Sequence, residues 1–226
     1  MSAEQALITV VKRPRAGATK TRLCPPFSPQ EAAAFYHCLM RDTMALMARV
    51  PAVKPVVAYT PADAQDYFRH LVSSSFELMP QRGRDLGERL DNVLTDWLHK
   101  GYGLAVVMDS DSPTLPIAYL RQAFRRLEDP DMDVVLGPCD DGGYYLIGLK
   151  APCPALFQGI AMSTPSVMAE TLERAQEQGL RVACLPPWYD VDTSDDVRRL
   201  IAELDSQPDH LAQHTKTFLS TTMGYF

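Results

Sequence analysis

The chain has 226 residues, 46% of them apolar, and a formal net charge of −6. This length and composition fit a single α/β domain with a sizeable core. The negative charge argues against a broad nucleic-acid-binding surface, and no apolar run approaches the roughly 20 residues of a membrane span.

Short apolar runs rich in β-branched residues alternate with helical patterns along the chain. The spacing predicts strands at 6–11, 54–60, 75–80, 102–109, 133–138, 143–149 and 181–187. It predicts helices at 28–50, 62–71, 85–100, 117–128, 164–179 and 193–206. Repeated strand–helix units predict an α/β fold with a mostly parallel central sheet and helices on both faces. We interpret 1–204 as one domain and 205–226 as a weakly patterned C-terminal tail.

A basic loop follows the first predicted strand. Residues 12–22 hold five cations in eleven positions, and Gly17 helps to break regular structure there. The candidates for contact with phosphate oxygens are Lys12, Arg15, Lys20 and Arg22. Neither G-x-x-x-x-G-K-[ST] nor G-x-G-x-x-G is present, so a solvated turn whose cations aid solubility is an equal alternative.

Two aspartates, Asp109 and Asp111, stand two residues apart at the end of the most apolar predicted strand. If the chain turns there, both carboxylates point into one cleft. Hard cations such as Mg²⁺ or Mn²⁺ prefer carboxylates together with phosphates and water. The alternative is a cap for the helix that begins near 117. Because Thr114 can cap that helix, we favour the metal interpretation.

Further carboxylates precede two later elements. Asp141 comes directly before Gly142 and Gly143, which would allow close approach of a ligand to the backbone. The D-G dipeptide is also a strong hairpin signal, so this segment is predicted to be both turn and site. Asp190 and Asp192 would point the same way on an extended segment, and they are additional metal candidates.

The segment GRDLGERL opens the helix predicted at 85–100. A capped amphipathic helix accounts for most of it. Asp85 and Gly87 are nevertheless candidates for nucleotide binding, because a small residue in the first turn could let a base or sugar lie close. The five histidines are dispersed, so a histidine-based metal site or a Ser-His-Asp triad has poor support.

Five of these segments also occur, in the same order, in a known bacterial family. They are KRPRAGATKTRL, GRDLGERL, DSDSPTLP, GPCDDGGYYLIGL and DVDTSDD. The chain resembles the selenodomain-associated transferase 1 family, also labelled arsenosugar-biosynthesis glycosyltransferase-like. It is similar as well to the phospholactate guanylyltransferases, which share elements like Ala18–Leu23 and Asp190–Thr193. The resemblance implies the nucleotide-diphospho-sugar transferase superfamily and its three-layer GT-A-like fold.

The resemblance also implies roles for individual residues. Asp111 matches the family's central acidic residue and is the first choice for a metal ligand, whereas Asp109 stands where the family usually has glycine. The basic loop matches the nucleotide-phosphate loop. Residues 141–143 match the acceptor-side motif, in which Asp141 would orient or deprotonate the acceptor.

We therefore expect a metal-dependent transferase that uses Mg²⁺ or Mn²⁺, a nucleotide or nucleotide-sugar donor and a small-molecule acceptor. Glycosyl transfer from a nucleotide-diphospho-sugar ranks narrowly first, because the family label favours it. Guanylyl or cytidylyl transfer to a small phosphorylated acceptor, with release of pyrophosphate, is the alternative that the basic loop suits. A non-catalytic nucleotide-binding protein is the third.

The sequence also predicts the cellular location and the partners of the protein. Five scattered cysteines with no C-x-x-C pair argue against a disulfide framework or zinc site and favour the cytoplasm. We expect no nucleic-acid partner and no membrane span. The tail is interpreted as either a frayed end or a contact in a homo-oligomer.

Overall fold

The computed structural model describes residues 4–206, 208 and 211–222. Within them lie the strands β1 (Gln5–Lys12), β2 (Val53–Thr60), β3 (Glu77–Pro80), β4 (Leu104–Met108), β5 (Val134–Pro138), β6 (Tyr144–Leu149) and β7 (Val182–Cys184). The helices are α1 (Pro29–Met47), α2 (Gln65–Arg69), α3 (Leu86–His99), α4 (Ile117–Glu128), α5 (Val167–Glu177), α6 (Ser194–Leu204) and α7 (Gln213–Thr222). Short 3-10 turns are formed by Thr21–Leu23, Ala62–Ala64 and Pro154–Leu156.

The strands form one sheet in the order β3-β2-β1-β4-β6-β5-β7. Among the described strands, β6 alone runs antiparallel, between β4 and β5. The remaining pairings are parallel. The predicted mostly parallel α/β fold is confirmed, and the loops that follow β1, β4, β5 and β7 lie at one edge of the sheet.

Helices cover both faces of the sheet, as predicted. Successive side chains of a strand point to opposite faces. In β1, Leu7 packs in the layer formed by α1, α2 and α4, whereas Ile8 packs in the layer formed by α3 and α5. Every residue of β4 is buried, in agreement with its apolar sequence. Both faces of the central strands are therefore packed against helices.

The structure corrects two local interpretations. The helix predicted at 62–71 is a 3-10 turn followed by the five-residue α2. Thr114 does not cap α4, which begins after Pro116 without a side-chain cap. The Thr114 hydroxyl instead donates to Glu203 Oε2 at 3.0 Å, which joins the loop after β4 to α6.

Part of the predicted tail is a helix, α7, that docks on the domain. Its Leu219 lies in a core cluster with Phe35 of α1 and Val197 of α6. The buried carboxylate of Asp42 accepts hydrogen bonds from the backbone N–H groups of His214 (3.1 Å) and Thr215 (2.8 Å). A side chain of α1 thus satisfies N–H groups that the first turn of α7 leaves unpaired.

Across the described ranges, no helix is both long enough and apolar enough to cross a bilayer.

The capping of α7 by Asp42 can be tested by substitution. Asp42→Ala leaves two buried N–H groups without an acceptor, and we expect a loss of about 1–3 kcal/mol in the free energy of unfolding. Urea denaturation measures this loss. The exposed Asp63→Ala serves as the control and should change stability by less than about 0.5 kcal/mol. Equal effects of the two substitutions would contradict the capping role.

Candidate functional site

Three acidic segments are held side by side at the carboxyl edge of the sheet. The loop after β4 contacts the segment after β7, because Val191 N–H donates to the Asp111 carbonyl at 3.1 Å. The turn after β5 contacts the same segment, because Asp140 N–H donates to the Trp188 carbonyl at 3.1 Å. These backbone bonds bring the predicted carboxylates together, as the parallel topology requires.

Lys20 joins the basic loop to these acidic segments. Its Nζ lies 2.5 Å from Asp111 Oδ2 and 2.5 Å from Asp192 Oδ1. The Lys20 side chain is only 6% exposed, whereas those of Asp111 and Asp192 are 19% and 34% exposed. Arg22 adds a more exposed contact, with Nη1 at 3.2 Å from Asp192 Oδ2. The site is therefore built around a buried ammonium between two carboxylates.

The local backbone places Lys20 in this position. Its φ of 48° and ψ of 43° lie in the left-handed region, which side chains other than glycine rarely adopt. The preceding Thr19 is buried, and its Oγ1 accepts a hydrogen bond from Arg15 N–H at 3.0 Å. This compact turn directs the side chain of Lys20 back toward the sheet edge.

The ion pair shifts the charge states of its members. Burial disfavours the charged form of Lys20, but Asp111 and Asp192 outweigh that effect and raise the pKa of its ammonium. Burial likewise favours neutral Asp192, but contact with Lys20, aided by Arg22, lowers the pKa of that carboxyl. Lys20 and Asp192 are thus charged together at neutral pH.

Two neighbouring carboxyls have the opposite tendency. Burial, together with the charges of Asp111 and Asp192, raises the pKa of Asp190 to about 7. Burial, followed by the charge of Asp111, raises the pKa of Asp109 well above its usual range. Both groups hold a proton more readily than an ordinary aspartate, because burial and the neighbouring carboxylates both favour the neutral form.

Of the two carboxyl oxygens of Asp109, one has a hydrogen-bond partner among the described residues and the other has none. Its Oδ2 lies 2.7 Å from Ser112 Oγ, and Thr9 Oγ1 donates to its carbonyl at 2.8 Å. Its Oδ1 is buried without a hydrogen-bond partner among the described residues. A buried carboxyl oxygen without a partner is unfavourable, so this atom is available to a ligand.

A pocket of about 230 Å³ opens beside Lys20, and we call it the basic pocket. It is lined by Lys12, Ala18, Lys20, Thr21, Arg22, Tyr36, Asp111 and Asp192. Three of these side chains are cations, and the exposed Lys12 Nζ contacts the Ala18 carbonyl at 3.3 Å. This concentration of positive charge suits phosphate oxygens.

A second space of about 250 Å³, the main cavity, lies on the other side of Arg22 and Asp192, which line both. Its polar side includes Asp109, Cys139, Asp141 and Asp190. Its apolar side includes Leu86, Leu90, Tyr144, Met162 and Val167. Cations and apolar surface are therefore segregated into adjoining pockets.

Several predicted site residues lie outside both pockets. Arg15 is exposed, and Gly17, with a φ of 75°, has open space where a Cβ would stand. Asp85 is the N-cap of α3, because Glu88 N–H donates to its Oδ1 at 2.9 Å. The structure gives these three residues a loop or capping role, and their predicted contact with nucleotide stays a prediction.

Internal packing constrains Gly142 strongly and Gly87 more weakly, and the predicted role of both in ligand binding stays a prediction. A Cβ on Gly87 would lie 3.0 Å from the Phe157 carbonyl oxygen. A Cβ on Gly142, whose φ is 90°, would lie 2.1 Å from the Pro165 carbonyl oxygen. Only Gly143 of the Gly-Gly pair lines the main cavity.

The β5–β6 connection is a turn, as predicted, and its Asp141 and Gly143 line the main cavity. Cys139 N–H donates to the Gly143 carbonyl at 3.0 Å and closes the hairpin. Asp141 Oδ1 accepts from Gly143 N–H at 2.9 Å, so the exposed carboxyl is oriented by its own turn toward the main cavity.

Tyr36 is a site residue that the sequence did not reveal. Its hydroxyl lies 2.8 Å from Ser110 Oγ, and its ring centroid lies 5.9 Å from Lys20 Nζ. Burial raises the pKa of Tyr36 to about 12. In the sequence it stands at a regular apolar position of α1, which conceals a polar end directed at the site.

Part of the chain matches a known protein family. Residues 43–164 match the family described as "uncharacterized protein conserved in bacteria (DUF2064)". The chain belongs to this family. The matched region contains Asp109, Asp111 and Asp141, whereas the basic loop and the Asp190–Asp192 segment lie outside it.

Individual relatives extend the match over nearly the whole chain. A nucleotide-diphospho-sugar transferase, so named, from Desulfovibrio desulfuricans G20 has 30% identity and a TM-score of 0.91, over 99% of this chain and 97% of that one. The 2-phospho-L-lactate guanylyltransferase of Methanothermobacter thermautotrophicus is 26% identical over 186 residues, which are 80% of this chain and 78% of the relative.

A more distant structure confirms the fold. The 4-diphosphocytidyl-2C-methyl-D-erythritol synthase of Anaerococcus prevotii DSM 20548 has a TM-score of 0.58 at 11% identity, over 89% of this chain and 96% of that one. The three-layer fold of nucleotide-diphospho-sugar transferases is confirmed. The names of the two sequence relatives, a guanylyltransferase and a nucleotide-diphospho-sugar transferase, agree with the predicted enzyme class.

The raised pKa of Asp190 predicts a pH-dependent stability in metal-free buffer. The folded carboxyl titrates at about 7, whereas the unfolded one titrates near about 3.9. Between these values the folded state binds more protons, so the contribution of Asp190 to stability falls as pH rises from about 4 to about 7. Asp190→Asn cannot titrate and escapes this loss.

We therefore expect the stability of Asp190→Asn relative to the parent to increase between pH 5 and pH 8. Urea midpoints at both pH values, with EDTA present, measure the change. Asp63→Asn, at an exposed position, is the control. A relative stability of Asp190→Asn that is the same at both pH values would be evidence against a protonated Asp190 in the folded state.

Proposed function

We propose that this protein is a metal-dependent nucleotidyltransferase. It transfers a nucleoside monophosphate from a nucleoside triphosphate to a small acceptor and releases pyrophosphate. The observation that carries the proposal is the contact of Lys20 with Asp111 and Asp192 at the boundary of the basic pocket. Cations for a triphosphate and carboxylates for a divalent ion thus meet at one point.

The carboxylates fit a hard divalent cation. Ligand oxygens of Asp111, Asp190 and Asp192 lie within 4.8 Å of one another. An all-carboxylate set that adjoins a phosphate pocket is the donor type that Mg²⁺ and Mn²⁺ favour over softer metals. When bound, either ion would neutralise negative charge on the phosphates and on the leaving pyrophosphate. Asp109, with its unpaired Oδ1, is a further candidate ligand.

The basic pocket would orient the triphosphate. Lys12 and Arg22 have exposed side chains that can reach phosphate oxygens, and Lys20 supplies a buried charge at the inner end. Fixed cations around the α- and β-phosphates stabilise the charge that develops as pyrophosphate leaves. In this proposal the loop therefore contributes to binding and to the transition state.

The acceptor would approach from the main cavity. An acceptor oxygen forms a bond to the α-phosphorus, and the bond from that phosphorus to the bridging oxygen breaks, with its electron pair going to pyrophosphate. Asp141 would accept the proton of the acceptor. Its Oδ1 is held by Gly143 N–H, which leaves Oδ2 directed to the acceptor.

Sequence relatives support this proposal. The curated relative transfers guanylyl groups according to its name and aligns with 80% of the chain. Glycosyl transfer is a second candidate, because the structure with 30% identity is named a nucleotide-diphospho-sugar transferase. Membership of the selenodomain-associated transferase 1 group belongs with that second candidate and stays a prediction.

Pyrophosphate release tests the proposed reaction. With Mg²⁺ or Mn²⁺, a nucleoside triphosphate and a panel of acceptors, we expect pyrophosphate, and Asp111→Asn should slow its release by about a hundredfold or more. Asp140→Asn is a matched control, because Asp140 lies beside the site but pairs with Arg199 at 2.6 Å.

Other outcomes distinguish the remaining candidates. Release of a nucleoside diphosphate from a nucleotide-sugar would establish glycosyl transfer instead. Metal-dependent nucleotide binding without any product, unchanged in Asp111→Asn, would indicate a non-catalytic binding protein.

A further inference from the structure

The main cavity differs in charge from what a phosphorylated acceptor requires. Among its described lining residues, Arg22 is the one cation, and it already contacts Asp192. Its other charged side chains are aspartates. Burial raises the pKa of the Cys139 thiol, which therefore contributes no charge at neutral pH.

Much of the remaining lining is apolar and forms the apolar wall of the cavity. Leu90 and Val167 in it are almost fully buried, and it also includes Tyr144, Met162 and the partly exposed Leu86. Such a surface gains free energy from contact with a hydrocarbon or ring. An anion placed against this apolar surface would lose its hydration, and Arg22, the cation among the described lining residues, is already paired with Asp192.

We propose that the acceptor bound in the main cavity is a neutral or cationic molecule with an apolar part, and not a phosphorylated acid. Its hydroxyl or amine would lie beside Asp141, and its apolar part would lie against Tyr144 and Met162. This inference rests on the proposed function. It separates this chain from the 26% identical relative, whose name specifies 2-phospho-L-lactate.

The cavity proposal can be tested without turnover. Ligand-observed NMR, with Mg²⁺ and a non-hydrolysable nucleoside triphosphate present, compares 2-phenylethanol, 2-phenylethylamine, phenyl phosphate and 2-phospho-L-lactate. We expect the first two to bind about tenfold more tightly than the two anions, because Arg22 is already paired with Asp192. Equal or tighter binding of either anion would overturn the proposal.

Two substitutions, each of which adds one positive charge, make this test more specific. Met162→Lys adds a cation to the cavity wall with little change in side-chain length, and it should reverse the preference between the neutral and the phosphate probes. Leu172→Lys adds the same charge at an exposed position of α5 and should leave the preference unchanged.

Two further outcomes are informative. Displacement of the neutral probes by the nucleotide would show that the cavity holds the base, which overturns the acceptor assignment. Pyrophosphate release with 2-phospho-L-lactate would also overturn the acceptor assignment, but it would support nucleotidyl transfer. The two proposals can therefore fail separately.

The position of Lys20 carries a second, independent inference. A divalent ion held by Asp111 and Asp192 would lie about 2.1 Å from their oxygens. Lys20 Nζ already lies 2.5 Å from one oxygen of each carboxylate. An ion that uses these same two oxygens would therefore occupy nearly the same point as the ammonium, and the two cations repel each other.

We infer that Lys20 is a positioning residue that couples metal binding to nucleotide binding. Without nucleotide, its ammonium is the counter-ion of Asp111 and Asp192 and competes with the metal. Phosphates in the adjoining basic pocket attract the ammonium away, which frees both carboxylates. By linkage, the metal and the triphosphate then strengthen each other's binding.

Metal binding in the absence of nucleotide tests this role. Electron paramagnetic resonance titration with Mn²⁺ alone should show about tenfold tighter binding to Lys20→Met than to the parent protein, because the competing cation is gone. Lys54→Met is the control. It removes a lysine at the opposite end of β2, where Nζ donates to the Ser75 carbonyl at 3.1 Å, and it should leave Mn²⁺ affinity unchanged.

Lys20→Gln repeats the test with a polar side chain, in case the methionine variant does not fold. Unchanged or weaker Mn²⁺ binding by the folded variants would overturn the inference. Thermal stabilisation by Mn²⁺ and inorganic triphosphate together should exceed the sum of their separate effects in the parent, but not in Lys20→Gln. These measurements need no turnover, so they hold even if the proposed reaction is wrong.

Discussion

The salt bridge from Lys20 to Asp111 and Asp192 is the interaction on which the site depends. It connects the loop after β1 with the segments after β4 and β7, which are far apart in the sequence. Without the ammonium, four carboxylates would repel one another at the edge of the sheet. The left-handed backbone at Lys20 is tolerated because the side chain is then held by two strong contacts.

The same contact divides the site into two chemical environments. Lys12 and Lys20 line only the basic pocket, whereas the apolar wall and Asp141 line only the main cavity. Arg22 and Asp192 line both. In the proposed reaction this division would place the highly charged leaving group among the cations and the acceptor beside Asp141. Burial, followed by the charge of Asp111, raises the pKa values of Asp109 and Asp190 on the side of the main cavity.

The sequence predicted the α/β fold and brought Lys20, Asp111 and Asp192 to one edge, because the carboxyl ends of parallel strands share that edge. It could not explain Gly87 and Gly142, since the backbones that exclude a side chain, at Phe157 and Pro165, are not neighbours in the local pattern. Tyr36 was concealed by the regular apolar spacing of α1. Helix α7 was missed because its capping residue, Asp42, lies 172 positions before His214.

The docking of α7 has a consequence for the site at a distance. Phe218 of α7 contacts Phe35, the residue before Tyr36, and α7 also packs on α6, which begins directly after the Asp190–Asp192 segment. The C-terminal helix therefore braces the outer surface of two elements whose inner ends form the basic pocket. Local unfolding of α7 would loosen both at once, so the rigidity of the basic pocket is set partly by a helix that does not line it.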